Sequence, residues 1–133
     1  MKVKSVNRSF KFYKSFGFNE IFAYGRPEFL SQLDNIPTAR EKYNGVVFGI
    51  GDSLFVIADG HLAVKPKVFK EMIFSSKISA MLYVSSVKNV EKVCKKFKYK
   101  IASSIRDYPW GTKEIVIKDP DGFVLVFIER LKK

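Results

Sequence analysis

The chain matches itself. Ser5-Val6, followed by Phe12, Tyr13, Phe16 and Phe18, corresponds to Ser86-Val87, followed by Val93, Cys94, Phe97 and Tyr99, at a constant offset of 81 residues. Val47 to Ile57 corresponds to Ile117 to Phe127 at an offset of 70, with Gly51-Asp52 standing for Asp121-Gly122. An internal repeat constrains a fold more than any single motif, because each copy must be one supersecondary unit with the same order of elements. The offset changes by 81 − 70 = 11, so the first copy holds about eleven extra residues, which fall between Arg26 and Tyr43. That stretch holds Pro27 and Pro37, predicts a short helix near Glu28 to Leu33, and is the longest connection in either copy. Long connections in compact domains often cover or line binding sites.

Hydrophobic periodicity predicts the elements of each copy. The first reads as strand Lys2 to Ser5, helix Arg8 to Phe16, strand Phe18 to Tyr24, strand Gly45 to Ile50 and strand Ser53 to Asp59. The second reads as strand Ile78 to Ser85, helix Val87 to Phe97, strand Tyr99 to Ser103, strand Thr112 to Lys118 and strand Phe123 to Glu129. The expected class is α+β: two βαβββ modules whose curled mixed sheets carry their helices on the outer face. With 133 residues the chain is one domain's worth. Residues 1–60 form module one, 61–77 a linker with one helical turn around Val68 to Met72, and 78–131 module two.

The best-specified local element is the last hairpin. Ile115 to Ile117 and Phe123 to Ile128 are apolar runs joined by Asp119-Pro120-Asp121-Gly122, in which Asp bonds the turn through its side chain, Pro presets φ and Gly tolerates positive φ. Alternation puts Phe123, Leu125 and Phe127 on one face and Val124, Val126 and Ile128 on the other. Both faces are apolar, as on a strand covered from two sides.

This hairpin resembles the closing segment of the vicinal oxygen chelate superfamily, which includes glyoxalase I, bleomycin-resistance proteins and extradiol dioxygenases. The resemblance is carried by Trp110-Gly111 and Asp119 to Gly122, by Ser9, Phe12-Tyr13 and Phe16-Gly17-Phe18 near the N-terminus, and by the paired modules. It spans nearly the whole chain, with Phe16 where the family pattern has Leu. Enzymes of the superfamily hold a divalent metal with His, Gln or Glu from the first and last strands of each module. The resemblance puts the last-strand Glu of module two at Val126 and its counterpart in module one at Val56. The first-strand ligand of module two falls at Ser79, and its counterpart falls before Met1. Two aliphatic side chains and a hydroxyl do not hold a catalytic metal. No cofactor or metal is therefore expected, and within the superfamily the chain is closest in character to the metal-free bleomycin-resistance-like branch.

Other chemistry finds little purchase. The only histidine, His61, opens the linker, where an exposed or capping role is expected, and Cys94 sits among apolar helix positions as a structural thiol. Gly49-x-Gly51 is too short for a nucleotide-binding loop, and turn chemistry accounts for Asp119 and Asp121. The net charge of +11 comes from nineteen Lys against five Arg, and Arg is the residue suited to bidentate phosphate recognition. Lys88, Lys92, Lys95 and Lys96 share one outward helix face, which reads as a solubilising surface.

The expected function is sequestration of a small apolar or aromatic molecule, neutral or anionic because a strongly basic protein repels cations. The candidate ligand-binding residues are Val56, Ser79, Met81, Tyr83, Trp110, Lys113, Val124 and Val126, with no catalytic set. Two alternatives stay open: a metal-dependent glyoxalase- or dioxygenase-type enzyme with unusual ligands, and a basic interaction module with weak nucleic-acid affinity. The expected partners are a small-molecule ligand and a second copy of the chain, since apolar residues on both strand faces need cover. No apolar run approaches the ~18 residues of a membrane span, and no secretory leader is evident, so a cytoplasmic location without membrane association is expected.

Overall fold

A computed structural model describes residues 1–34, 36–39, 41–61, 63–72 and 79–132. The chain divides into two compact units, Met1–Glu71 and Met72–Lys133. Each is a helix laid on one face of a four-stranded sheet, which gives the mixed α+β fold expected of paired βαβββ modules.

The first unit begins with an isolated parallel bridge between Lys2 and Ala58, fixed by Val3 N donating to Ala58 O at 2.8 Å and Ala58 N to Met1 O at 3.0 Å. The expected strand Lys2 to Ser5 is reduced to this bridge, because the chain bends at Lys4 and Ser5, itself extended, serves as the N-cap of helix α1 (Val6–Ser15), its hydroxyl accepting from Arg8 N. Strands β1 (Asn19–Tyr24), β3 (Gly45–Ile50) and β4 (Ser53–Ala58) follow as an antiparallel series. The inserted segment supplies helix α2 (Pro27–Leu30) and the two-residue strand β2 (Thr38–Ala39), which pairs parallel to β1. The core beneath α1 is aromatic. Phe12, Tyr13 and Phe48 are buried, and Tyr13 touches the rings of Phe12, Phe18, Phe48 and Phe55. Edge-to-face and tilted ring pairs add to the large apolar area they bury. The linker's helical turn lies slightly earlier than expected, as a 3-10 turn over Pro66–Lys70.

The second unit has the order β5-β8-β7-β6, with β5 (Ser79–Tyr83) parallel to β8 (Val124–Arg130) and β7 (Thr112–Lys118) antiparallel to both β8 and β6 (Ile101–Tyr108). Ile78, the expected first residue of β5, lies outside the described residues. Helix α3 (Val87–Phe97) is capped by Ser86, as α1 is by Ser5. It buries Val87, Val90 and Cys94 over Ile115, Ile117, Leu125 and Phe127. Lys88, Lys92, Lys95 and Lys96 all face solvent. Strand β6 runs five residues past its expected end at Ser103. As an edge strand paired only with β7, it leaves Ser104, Arg106 and Asp107 exposed, so a polar sequence still forms a ladder there.

The repeat is carried into hydrogen-bond register. Tyr83 pairs with Ile128 as Lys2 pairs with Ala58, which are displacements of 81 and 70 residues. The strand before the turn departs from the expected offset. Val47 opposes Val56 while Val116 opposes Val126, so β3 and β7 correspond at 69 rather than 70. The extra residue is in the turn: Asp119 N donates to Phe123 O at 2.9 Å around Pro120-Asp121-Gly122, whereas Ile50 and Ser53 close directly around Gly51-Asp52. No helix described is long and apolar enough to cross a membrane.

Candidate functional site

Each sheet has one face under its helix and one open face. On the second sheet, strand pairing orders the open face into rows. Ser79, Val124 and Lys118 make one; Met81, Val126, Val116 and Ser103 the next; Tyr83, Ile128, Glu114 and Arg106 the third; and Arg130, Thr112 and Tyr108 the last. The face thus grades from an aliphatic centre to a polar and aromatic end. Met81 and Tyr83 are 63% and 62% exposed, so the aliphatic centre is bordered by open apolar surface.

Four side-chain contacts organise the polar end. The Arg130 guanidinium lies 4.1 Å from the centre of the Tyr83 ring, a cation–π arrangement that holds both side chains over β5 and β8. Tyr108 and Trp110 stack with ring centres 4.6 Å apart and planes inclined by 18°. Glu114 Oε1 accepts from Thr112 Oγ1 at 2.9 Å and from Trp110 Nε1 at 3.4 Å. Gly111, at φ +86°, adopts the left-handed geometry that lets the chain reverse at Trp110, and its N donates to Tyr108 O at 3.1 Å.

Of the sequence-predicted residues, Ser79, Met81, Tyr83, Val124 and Val126 share this open face, with Trp110 in the loop at its end. Lys113 does not join them. It pairs with Glu129, on the face that carries α3, because successive residues of β7 point to opposite sides. Val56 stands on the open face of the first sheet, opposite Val47. Sequence reasoning missed Arg106, Tyr108, Thr112, Glu114, Val116 and Arg130. The alternation of Thr112, Glu114, Val116 and Lys118 was available to find four residues of the face, Lys118 among them. Arg106 and Tyr108 were hidden by the early end assigned to their strand.

His61 is exposed, and its Nδ1 accepts from Ala63 N at 3.1 Å, a local turn contact. Cys94 is 1% exposed, and burial, reinforced by the charge of Glu91, pushes its thiol up to about 11. It is a packing residue, not a nucleophile at neutral pH.

The sequence matches the family model described as the Glyoxalase/Bleomycin resistance protein/Dioxygenase superfamily over residues 1–127. The chain belongs to this superfamily. Solved structures agree on the fold. The fosfomycin resistance protein FosX from Listeria monocytogenes, complexed with Mn(II) and sulfate, is 15% identical, with 96% of this chain and 84% of that chain covered at a TM-score of 0.62. A mutant of glyoxalase I from Zea mays is 18% identical, with 98% and 43% covered at 0.69. A superfamily member from Sphaerobacter thermophilus is 15% identical, with 98% and 92% covered at 0.62. No curated protein matches the sequence significantly.

The donor set at the superfamily's metal positions does not fit a metal. Val126 and Val56 have no donor atom, and the hydroxyl of Ser79 has Val124 as its cross-strand neighbour. Among the described residues, no three His, Cys, Asp or Glu side chains are grouped to hold an ion.

Proposed function

We propose that this superfamily member binds a small apolar or aromatic molecule, neutral or anionic, on the open face of its second sheet without using a metal. The observation that carries the reading is the apolar row Met81–Val126–Val116, whose central residue stands where the resemblance puts a ligating carboxylate. Burial of ligand surface against such a row is the dominant favourable term, and Tyr83 and Trp110 extend it with exposed rings. Polar groups at the end of the face supply orientation rather than bond making.

A calorimetric and thermal-shift screen of hydrophobic acids, neutral aromatics and amphipathic antibiotics tests the proposal. Binding at micromolar to millimolar concentration, weakened by Val126→Glu and unchanged by chelator, is the expected result. A silent screen at millimolar ligand sinks it. Stoichiometric divalent metal in protein purified without chelator replaces it with the metal-enzyme alternative.

A further inference from the structure

The polar end of the second sheet carries more than an apolar pocket requires. Glu114 sits on the open face beside the buried Ile128 and opposite Arg106, yet it forms no ion pair with a described residue. Its Oε1 is held by Thr112 and Trp110, whereas Oε2 takes no partner among the described residues. The indole that donates to this carboxylate is the same ring that stacks on Tyr108, and it remains 66% exposed. A flat aromatic face and a directed acceptor are therefore fixed relative to each other by one side chain. The loop that carries the indole is closed by Gly111 N to Tyr108 O and tied to the residue that follows β8 by Leu131 N to Gly111 O at 2.9 Å. Such preorganisation lowers the ordering cost of binding.

We propose that the Tyr108–Trp110 stack and Glu114 Oε2 form a recognition subsite for a neutral, planar heteroaromatic ring bearing an N–H donor. The ring lies against the exposed indole, and its N–H points to the unpartnered carboxylate oxygen. Charge selects the neutral form: Arg106 in the same row and Arg130 over Tyr83 oppose a cation, and Glu114 opposes an anion. This inference rests on the small-molecule-binding reading above and names the chemical class that reading leaves open.

The chain has a single tryptophan, so its emission reports on this subsite alone. Benzimidazole and 1-methylbenzimidazole, both uncharged in mildly alkaline solution, are titrated by calorimetry and by Trp110 fluorescence excited at the red edge of its absorption. Benzimidazole is expected to perturb Trp110 emission and to bind about tenfold tighter than its N-methyl analogue, the effect of one hydrogen bond to a charged acceptor. Glu114→Leu is expected to bring the two affinities within about twofold, a change of about one hydrogen bond. Glu114→Gln, which keeps the size and polarity of the side chain, is expected to retain part of the difference. Equal affinities in the wild type, or a preference that survives Glu114→Leu, overturn the inference and leave apolar binding standing. No binding of either probe, with hits in the broader screen, also overturns it alone. Silence in both experiments removes the site altogether.

Discussion

The two modules share a backbone grammar and differ in what they do with one carboxylate. Ser5 and Ser86 cap their helices through equivalent bonds, and Val3 N and Val84 N donate to equivalent carbonyls, Ala58 O and Ile128 O. Glu129 in the second module accepts from Val87 N at 2.8 Å and so closes the first turn of α3. Its counterpart in the first module, Asp59, accepts instead from Asn44 N at 2.9 Å and Asn44 Nδ2 at 3.2 Å. Asn44 in turn accepts from Arg26 N, so one side chain ties the two ends of the inserted segment together. Tyr43 packs against Gly60, where any Cβ would overlap its ring. The difference teaches that an insertion into a repeat needs an anchor, and here the anchor is taken from the helix cap.

The cores diverge more deeply, and the largest expected effects lie there. Phe48 and Ile117 are equivalent by strand register, but Phe48 lies among the rings of Phe10, Tyr13 and Phe18, whereas Ile117 lies in a mainly aliphatic layer with Ile115, Leu125 and Phe127. Phe48→Ala is expected to lower unfolding free energy by about 4 kcal/mol and Ile117→Ala by about 3 kcal/mol, measured by denaturant titration. A larger loss at Ile117 would mean that the aliphatic module, not the aromatic one, carries the tighter packing.

Alkaline titration separates the modules next. Burial raises the Cys94 thiol to about 11, so its contribution is complete below the ordinary thiol range and is lost as pH rises through the folded value. The phenol of Tyr24 in the first module is also raised, first by burial and then by the charges of Asp59 and Glu41, and works in the same direction. Cys94→Ala is expected to remove about 3 kcal/mol of the stability lost between neutral and strongly alkaline solution, leaving the Tyr24 part. An unchanged alkaline slope in the variant would assign the whole loss to other groups.

The hairpin turns give a sharper contrast. Asp119 is buried, and its Oδ1 accepts from Asp121 N at 2.9 Å and Phe123 N at 2.8 Å. Asp119→Ala is expected to cost about 2 kcal/mol by leaving those amides unpaired, while Asp52→Ala in the exposed two-residue turn costs under about 0.5 kcal/mol. Equal costs at the two turns would deny the turn its role in setting the register of β7 against β8.

Much of this architecture was legible because it rests on local chemistry. Gly45 to Ile50, Val87 to Phe97 and Thr112 to Lys118 are bounded as their periodicity predicts. The turn Asp119 to Gly122 announces itself through side-chain and φ requirements that few other sequences meet. What stayed hidden depends on partners distant in sequence. The one-residue register difference between the hairpins shows only when Val47 and Val116 are matched to the strands they face. The polar end of the open face depends on β6 continuing to Tyr108, which its edge position permits and its composition disguises. Lys113 differs from its expected place by one step of alternation, enough to move a side chain from the open face to the helix face.

The smallest effect tests the carboxylate exchange itself. Glu129→Ala removes a charged cap and is expected to cost about 1 kcal/mol, with faster amide hydrogen exchange confined to the first turn of α3. Asp59→Ala is expected to cost a similar ~1 kcal/mol through the lost Asn44 bonds, yet to leave exchange in the first turn of α1 unchanged. Protease cleavage within residues 26–43 should rise instead, because the bond from Arg26 N to Asn44 depends on the orientation that Asp59 gives that side chain. The two variants thus have matched costs and opposite locations. If Asp59→Ala loosens α1 rather than the insertion, the carboxylate still serves the helix, and the modules differ in their cores and turns but not in how each helix is held.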